Sequence, residues 1–438
     1  MTKIYKNNNK NYKEDFPIFK NNPNLIFLDS AASSQKPQCV LDDIKYFCEH
    51  DYANVHRGAY NLSLKSTESI ENARNDIANF FGTNAKNLVF TKNATEASNI
   101  FTSGILQYIQ NNTDLKNKNI EILMPISEHH SSLLPALFQN KNNVKSTYIY
   151  PQLNRDNNFA IFNEEDFEKN ITKNTRLIIS AHISNVTGQI FDIKKIAKII
   201  QKINKFREKE FGNKNSKIYF AIDASQSAPH VKINFDELSK ISCDAIFITG
   251  HKLGAGGIGA LLLSDEISEI LPQYSVGGGI VNDVHETEYS LLNSPTRFEA
   301  GTPSIENIVG FHSAIKYLTK ITFQNIENHE ENLIKYALEQ FTKRLPNFII
   351  VGSKNYDTDK KNRSSLLSFY HKDIHHSDLA IMLAEKNIAV RAGMHCANPL
   401  HHYLKIKGTV RASFWIYNDN SDIDALINTL QDIENIFS

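Results

Sequence analysis

The sequence predicts an α/β protein, with a mainly parallel, doubly wound sheet in a large domain and a smaller α+β domain at the C-terminal end. Three observations carry this reading. Short apolar runs of strand length recur at residues 88–91 (LVFT), 120–124 (IEILM), 176–181 (RLIISA), 217–222 (KIYFAI), 245–249 (AIFIT) and 259–263 (GALLL). They are apolar at nearly every position, as strands covered on both faces are. Helical patterns, such as residues 192–206 (DIKKIAKIIQKINKF), alternate with several of them, which implies parallel strands joined by helical crossovers.

The order of elements divides the chain. Residues 1–24 read as an N-terminal tail, and residues 25–316 as the large domain, whose N-terminal segment also contributes to the small one. A long helix-rich connection begins near Ile308, and the boundary is expected within residues 317–332. Residues 317–438 then form the small domain, with strands near 348–351, 365–369 and 410–417. With 438 residues, 41% of them hydrophobic, two or three domains with a large core are expected. Asn- and Lys-rich insertions at 111–119, 204–217 and 354–363 read as solvated loops or extended helix ends.

Composition excludes several classes. Lys plus Arg and Asp plus Glu stand at 48 each, a balance unlike that of a dedicated nucleic-acid or anionic-membrane protein. The N-terminus has no apolar h-region, and no apolar run is long enough to span a bilayer, so a cytoplasmic protein is expected. Four cysteines in a chain of this length do not form a disulfide framework. Cys39, Cys48 and Cys243 read as buried small hydrophobes. Cys396 stands apart, in a glycine-flanked loop before a proline.

The polar residues cluster directly after the strands. Ser127-Glu128-His129-His130-Ser131-Ser132 follows the second apolar run, and His182-Ile183-Ser184-Asn185 the third. Asp223-Ala224-Ser225-Gln226 follows the fourth, and Gly250-His251-Lys252 the fifth. Ligands of open α/β sheets bind outside the carboxyl ends of the strands, so the four clusters should meet in one cleft.

Their chemistry suits pyridoxal 5'-phosphate (PLP). That cofactor needs a lysine for its aldehyde, a carboxylate at its ring nitrogen, a phosphate cradle and a flat group over the ring. Lys252, Asp223 and the turn around Thr95 at a helix start fill the first three roles. Each residue has a plainer reading. A lone Asp after a strand is usually a helix cap, and a lone Lys in a loop is usually solvated. His129-His130, His375-His376 and His401-His402 lack a third ligand at zinc spacing, so no metal site is expected. Gly254-Ala255-Gly256-Gly257-Ile258-Gly259 satisfies G-x-G-x-x-G but runs into a strand pattern, so the dinucleotide reading is rejected.

Asp223-Ala224-Ser225-Gln226, Thr249-Gly250-His251-Lys252 and Arg297-Phe298-Glu299-Ala300-Gly301-Thr302-Pro303 together resemble the class V aminotransferase fold, fold type I of PLP-dependent enzymes. Arg391-Ala392-Gly393-Met394-His395-Cys396-Ala397-Asn398-Pro399-Leu400 and Gly408-Thr409-Val410-Arg411-Ala412-Ser413 resemble group II (Suf-type) cysteine desulfurases. Leu28-Asp29-Ser30-Ala31-Ala32-Ser33 and Asn54-Val55-His56-Arg57-Gly58 fit the same family.

The resemblance implies a seven-stranded sheet and a homodimer with shared sites. It places a Schiff base on Lys252, His129 over the ring, Asp223 at the ring nitrogen and Gln226 at the phenolic oxygen. Thr95, Thr249, His251 and the Ala94 amide take the phosphate, and Thr302 reaches the neighbouring subunit's phosphate. Asn185 and Arg411 take the substrate carboxylate of L-cysteine, and Cys396 accepts its sulfur as a persulfide while L-alanine leaves. Arg391 and His56 are expected to bind the substrate as well, and Asn185 to touch the cofactor. Arg391, His395 and His56 are expected to favour the Cys396 thiolate electrostatically, and His56-Arg57 to serve the neighbouring site. A sulfur-acceptor protein of the SufE/SufU type, feeding iron–sulfur cluster assembly, is implied as partner. The glycine loop after Lys252 is one residue shorter than the family pattern and lacks its proline, so a more mobile loop is expected. Ser131-Ser132 stands where the family more often has Ala-Asn. The alternatives are a selenocysteine lyase using the same site and another enzyme of the class V aminotransferase fold.

Overall fold

Alternation within the apolar runs shows why they become strands of one sheet. In the computed structural model, which describes residues 12–56, 58–111, 119–140, 143–153, 161–211, 216–354 and 363–437, Leu88, Phe90, Ile178, Phe220, Ile222, Ile246 and Ile248 face one core. Val89, Ile122, Leu177, Ile179, Ala221 and Phe247 face a second core on the opposite side. The period of two is that of a pleated strand, and each large side chain fully buried this way contributes about 1.5–3 kcal/mol.

Seven strands make the large sheet: β1 Leu88–Thr91, β2 Ile120–Pro125, β3 Val144–Ile149, β4 Thr175–Ala181, β5 Tyr219–Asp223, β6 Ala245–Thr249 and β7 Gly259–Leu263. Their spatial order is β1-β7-β6-β5-β4-β2-β3. Only β7 runs against its neighbours, and the remaining pairs are parallel. Helices cover both faces: Asn61–Phe80, Ile193–Phe211 and Ile305–Ile321 on one side, Ala94–Asn111 and His130–Phe138 on the other. Strand β3 (VKSTYI) is not among the apolar runs because this edge strand is only partly covered, with exposed Lys145 between buried Val144 and Ser146; the other edge strand, β1, is buried along its whole length.

A second sheet of four antiparallel strands comprises β8 Phe348–Val351, β9 Leu366–His371, β10 Arg391–Gly393 and β11 Thr409–Ser413, in the order β8-β9-β11-β10. Helices Phe323–Arg344, His376–Glu385 and Asn420–Phe437 pack on it through Leu338, Phe341, Leu379, Leu383, Leu426 and Ile427. Residues 26–27 pair with residues 388–389, and Asp29 bridges to Ser413. The N-terminal segment therefore ties into this smaller sheet.

Several expectations are corrected. The strand expected over 410–417 stops at Ser413, and Trp415 and Tyr417 instead pack edge-on with Phe16, whose ring lies 5.9 and 4.9 Å from theirs. Cys39 and Cys48 are exposed, because helix Gln38–His50 turns Val40 and Phe47 inward instead. Cys243 is buried, as expected. Gly254-to-Gly259 runs into β7 and not into a helix, which agrees with rejecting a dinucleotide fingerprint. The glycine loop is closely packed at two of its glycines, while Gly257 is exposed with open space around it. A Cβ at Gly256 would collide with the Asn307 side chain, and one at Gly259 would lie 2.5 Å from the Asn93 backbone. Arg57 and residues 112–118, 212–215 and 355–362, which hold much of the three insertions, lie outside the described residues.

Candidate active site

Register places the site. Ala181 stands opposite Asp223, Asp223 opposite Phe247, and Thr249 opposite Gly259, so the carboxyl ends of β4, β5 and β6 form one ledge. A cavity of about 180 Å³ opens there, lined by Ala94, Thr95, His129, Asn185, Asp223, Gln226, Thr249, His251 and Lys252 among others. Nine of the residues expected from the sequence thus meet in one place.

Asp223 forms the floor. Its Oδ1 accepts the Ser225 N–H at 2.9 Å, and its Oδ2 accepts the hydroxyls of Ser131 and Ser132, both at 3.2 Å. Three donors from three residues fix the orientation of this carboxylate. Gln226 is buried beside it and donates from Nε2 to the Ala31 carbonyl at 2.7 Å.

His129 caps helix His130–Phe138, its Nδ1 accepting the Ser131 N–H at 3.1 Å. Burial, aided by the Lys252 charge, lowers its pKa to about 4, so the ring is neutral near pH 7. With Nδ1 accepting, the ring proton is assigned to Nε2. Lys252 lowers to about 8, with burial the leading cause; Asp223 opposes that shift, and Arg411 and Arg391 add to it. An amine held this way is available as a nucleophile close to neutral pH.

The Thr249 hydroxyl is fully buried and has no hydrogen-bond partner. It shares the cavity with Thr95, His251 and the first residue of helix Ala94–Asn111, an N-terminus suited to an anion. An orphaned hydroxyl, a helix N-terminus, a carboxylate floor and a depressed lysine in one cavity fit the phosphate, ring nitrogen and aldehyde of PLP.

Arg411 and Cys396 come from the smaller sheet and stand beside the cavity, not on its lining, where they meet Asn185 and the loop after β2. The Arg411 guanidinium is buried, donating to the Asn185 carbonyl at 3.0 Å and to Asp29 Oδ1 at 3.3 Å, and its Nε has no partner. Burial lowers its pKa to about 10 and raises that of Asp29. The Cys396 loop is held by two bonds to the large sheet's loops. The Cys396 carbonyl accepts the His130 N–H at 2.8 Å, and the His395 carbonyl accepts Asn185 Nδ2 at 2.7 Å. His395 and Cys396 both adopt positive φ, 49° and 56°, a left-handed pair that costs roughly 1–3 kcal/mol per residue and recurs at functional sites.

His395 does not play the part expected of it. It is buried with Nε2 against the Thr409 hydroxyl at 2.8 Å, and burial together with Arg411 lowers its pKa to about 2. A neutral imidazole supplies no positive charge to a thiolate. Arg391 is exposed on β10, directly across from Arg411 on β11. His56 and Thr302 are exposed and lie off the cavity lining of this chain.

Sequence reasoning missed two contributors. Glu128 is fully buried, its Oε1 accepting the Ala181 N–H at 2.9 Å, and burial raises its pKa well above the carboxylate range. Asp29, apparent in the sequence only as part of a motif, pairs with Arg411 across 382 positions of chain. No group of three or more His, Cys, Asp or Glu side chains that could hold a metal ion occurs among the described residues, and among them no helix is long and apolar enough to cross a membrane.

Comparison with known proteins agrees with this geometry. Residues 26–426 match the model of the family Aminotransferase class-V. The chain therefore belongs to the class-V aminotransferase family. It is 34% identical to a probable cysteine desulfurase of Synechocystis, over 97% of this chain and 96% of that protein. A probable cysteine desulfurase of Halalkalibacterium halodurans is also 34% identical, over 97% and 98% of the two chains. The solved cysteine desulfurase of Thermococcus onnurineus, in its apo form, superposes with a TM-score of 0.83 at 30% identity, covering 96% of both chains. A cysteine desulfurase of Escherichia coli gives 0.81 at 28% identity, covering 97% and 98%. Within the family the chain belongs with the cysteine desulfurases.

Proposed function

We propose that this chain is a PLP-dependent desulfurase of L-cysteine, of the short-loop group II kind, that carries the sulfur on Cys396. The observation that supports it most is the meeting of two loops from different sheets. Lys252 and Asp223 line the cavity, and Asn185 and His130 hold the Cys396 loop beside it.

Lys252 would hold the cofactor's aldehyde, Asp223 its ring nitrogen and Gln226 its phenolic oxygen, with His129 over the ring. Thr95, Thr249, His251 and the Ala94 amide would hold the phosphate. The bound cofactor supplies an electron sink for the substrate carbon skeleton. Arg411 and Asn185 seat the substrate carboxylate, for which the unpartnered Nε edge of Arg411 is suited. Lys252 Nζ moves the Cα proton. The Cys396 thiolate attacks the substrate sulfur, the sulfur–Cβ bond breaks with its electron pair left on carbon, and protonation there yields L-alanine. The persulfide on Cys396 then passes to an acceptor protein bearing a thiol. Lys252 and Arg411 are the cations that interact electrostatically with Cys396.

The deciding experiment measures sulfide and alanine formed from L-cysteine under reductant. The parent should produce both in equal amounts. Cys396→Ala should lose this activity by orders of magnitude yet keep cofactor binding, melting temperature and activity on L-selenocysteine. Parental desulfuration by Cys396→Ala would move the lyase reading ahead.

A further inference from the structure

Ser131 and Ser132 occupy the first turn of helix His130–Phe138, where serine hydroxyls commonly bond to nearby backbone. Here both reach across 92 and 91 positions of chain to the same oxygen, Asp223 Oδ2, at 3.2 Å. Both side chains are buried, and Ser131 lies on the cavity wall with His129. The Ser131 hydroxyl also stands 2.8 Å from His129 Nδ1.

One hydroxyl proton cannot serve both partners. Nδ1 of His129 already accepts the Ser131 backbone N–H. With that lone pair taken, the Ser131 proton goes to Asp223. Ser132 adds a second hydroxyl to the same oxygen, and the Ser225 N–H occupies Oδ1.

We infer that Ser131 and Ser132 form a hydroxyl clamp that holds the Asp223 carboxylate oriented toward the cofactor's ring nitrogen, making both serines positioning residues of the site. The clamp also couples the carboxylate to His129, because Ser131 touches both. The inference rests on the reading that PLP binds here with its ring nitrogen at Asp223.

The test compares two ligands on the full-length apo-protein: PLP, and the 1-deaza analogue in which carbon replaces the ring nitrogen. The parent should bind PLP more tightly than the analogue. In Ser131→Ala/Ser132→Ala that preference should fall about tenfold or more, as expected for losing hydrogen bonds to a charged group. Each single alanine variant should lose part of it, and Ser131→Thr, which keeps the hydroxyl, should restore most of it. The single variants carry the same test should the double variant fail to fold. A double variant, or both singles, with the parental preference would overturn the clamp. Equal weakening of both ligands would also overturn it, since a merely structural role predicts that result. A parent with no preference for PLP over the analogue would instead sink the assignment of Asp223 to the ring nitrogen.

Discussion

The side-chain amide of Asn185 donates to the backbone carbonyl of His395 at 2.7 Å, joining a loop of the large sheet to the loop that carries Cys396. The two residues lie 210 positions apart, and the bond is buried. It is one of two ties that hold a left-handed turn, the other being His130 N–H to the Cys396 carbonyl.

Removing that tie should loosen the sulfur loop. Asn185→Ala leaves the His395 carbonyl buried without this donor, which costs about 1–3 kcal/mol of stability. Denaturant titration of the apo-protein should show the loss. Hydrogen exchange should quicken at residues 394–397 and remain parental in β5 and β6. Unchanged exchange in the loop would show that Asn185 does not hold it.

Cofactor capture should depend on pH with the sign set by Lys252. Burial lowers its pKa from 10.5 to about 8, so the neutral amine gains above that pH and the rate of PLP capture should climb through it. The stability of the apo-protein carries the same signature. Between about 8 and 10.5 the unfolded chain binds more protons at this lysine than the folded one, so stability rises with pH across that window. Comparison with Lys252→Met isolates the slope, and a difference that stays flat from pH 8 to 10 would contradict the buried amine.

Arg411→Lys is expected to behave as a severe change. The guanidinium spans the Asn185 carbonyl and Asp29 at once and keeps Nε for a further acceptor, which a single ammonium cannot reproduce. KM for L-cysteine should rise about tenfold to a hundredfold, the equivalent of one charged hydrogen bond. PLP affinity should change little. A parental KM would remove Arg411 from substrate binding.

The homodimer proposal has a surface to support it. Gly301 N–H donates to the Gly278 carbonyl at 2.9 Å, which places Thr302 near the segment holding exposed Tyr274 and Val276. Val284 and Tyr289, on the hairpin that follows that segment, are exposed as well. A shared interface in a homodimer would cover these side chains. Lys252→Ala and Thr302→Ala proteins, each impaired alone, should regain activity when refolded together. A fully active monomer in sedimentation would defeat the shared-site arrangement.

The sequence by itself determined the large sheet. Six of its seven strands are apolar at nearly every position because both faces are covered, and polar clusters mark the ledge where they end. Edge strand β3 escaped for the opposite reason, since a strand half in water carries Lys and Thr among its apolar residues. Lys252, Asp223, His129 and the Thr95 turn were legible because each follows or precedes a strand in the chain.

The tertiary structure alone decided which polar groups meet and in what charge state. Burial neutralises His395, and the fold turns its ring to Thr409. Asp29 pairs with Arg411, and Ser131 and Ser132 close on Asp223, each across more than ninety positions of chain. Local periodicity reports which face of an element is apolar. Desolvation and hydrogen-bond partnership depend on what packs above that face, and only the folded chain supplies it.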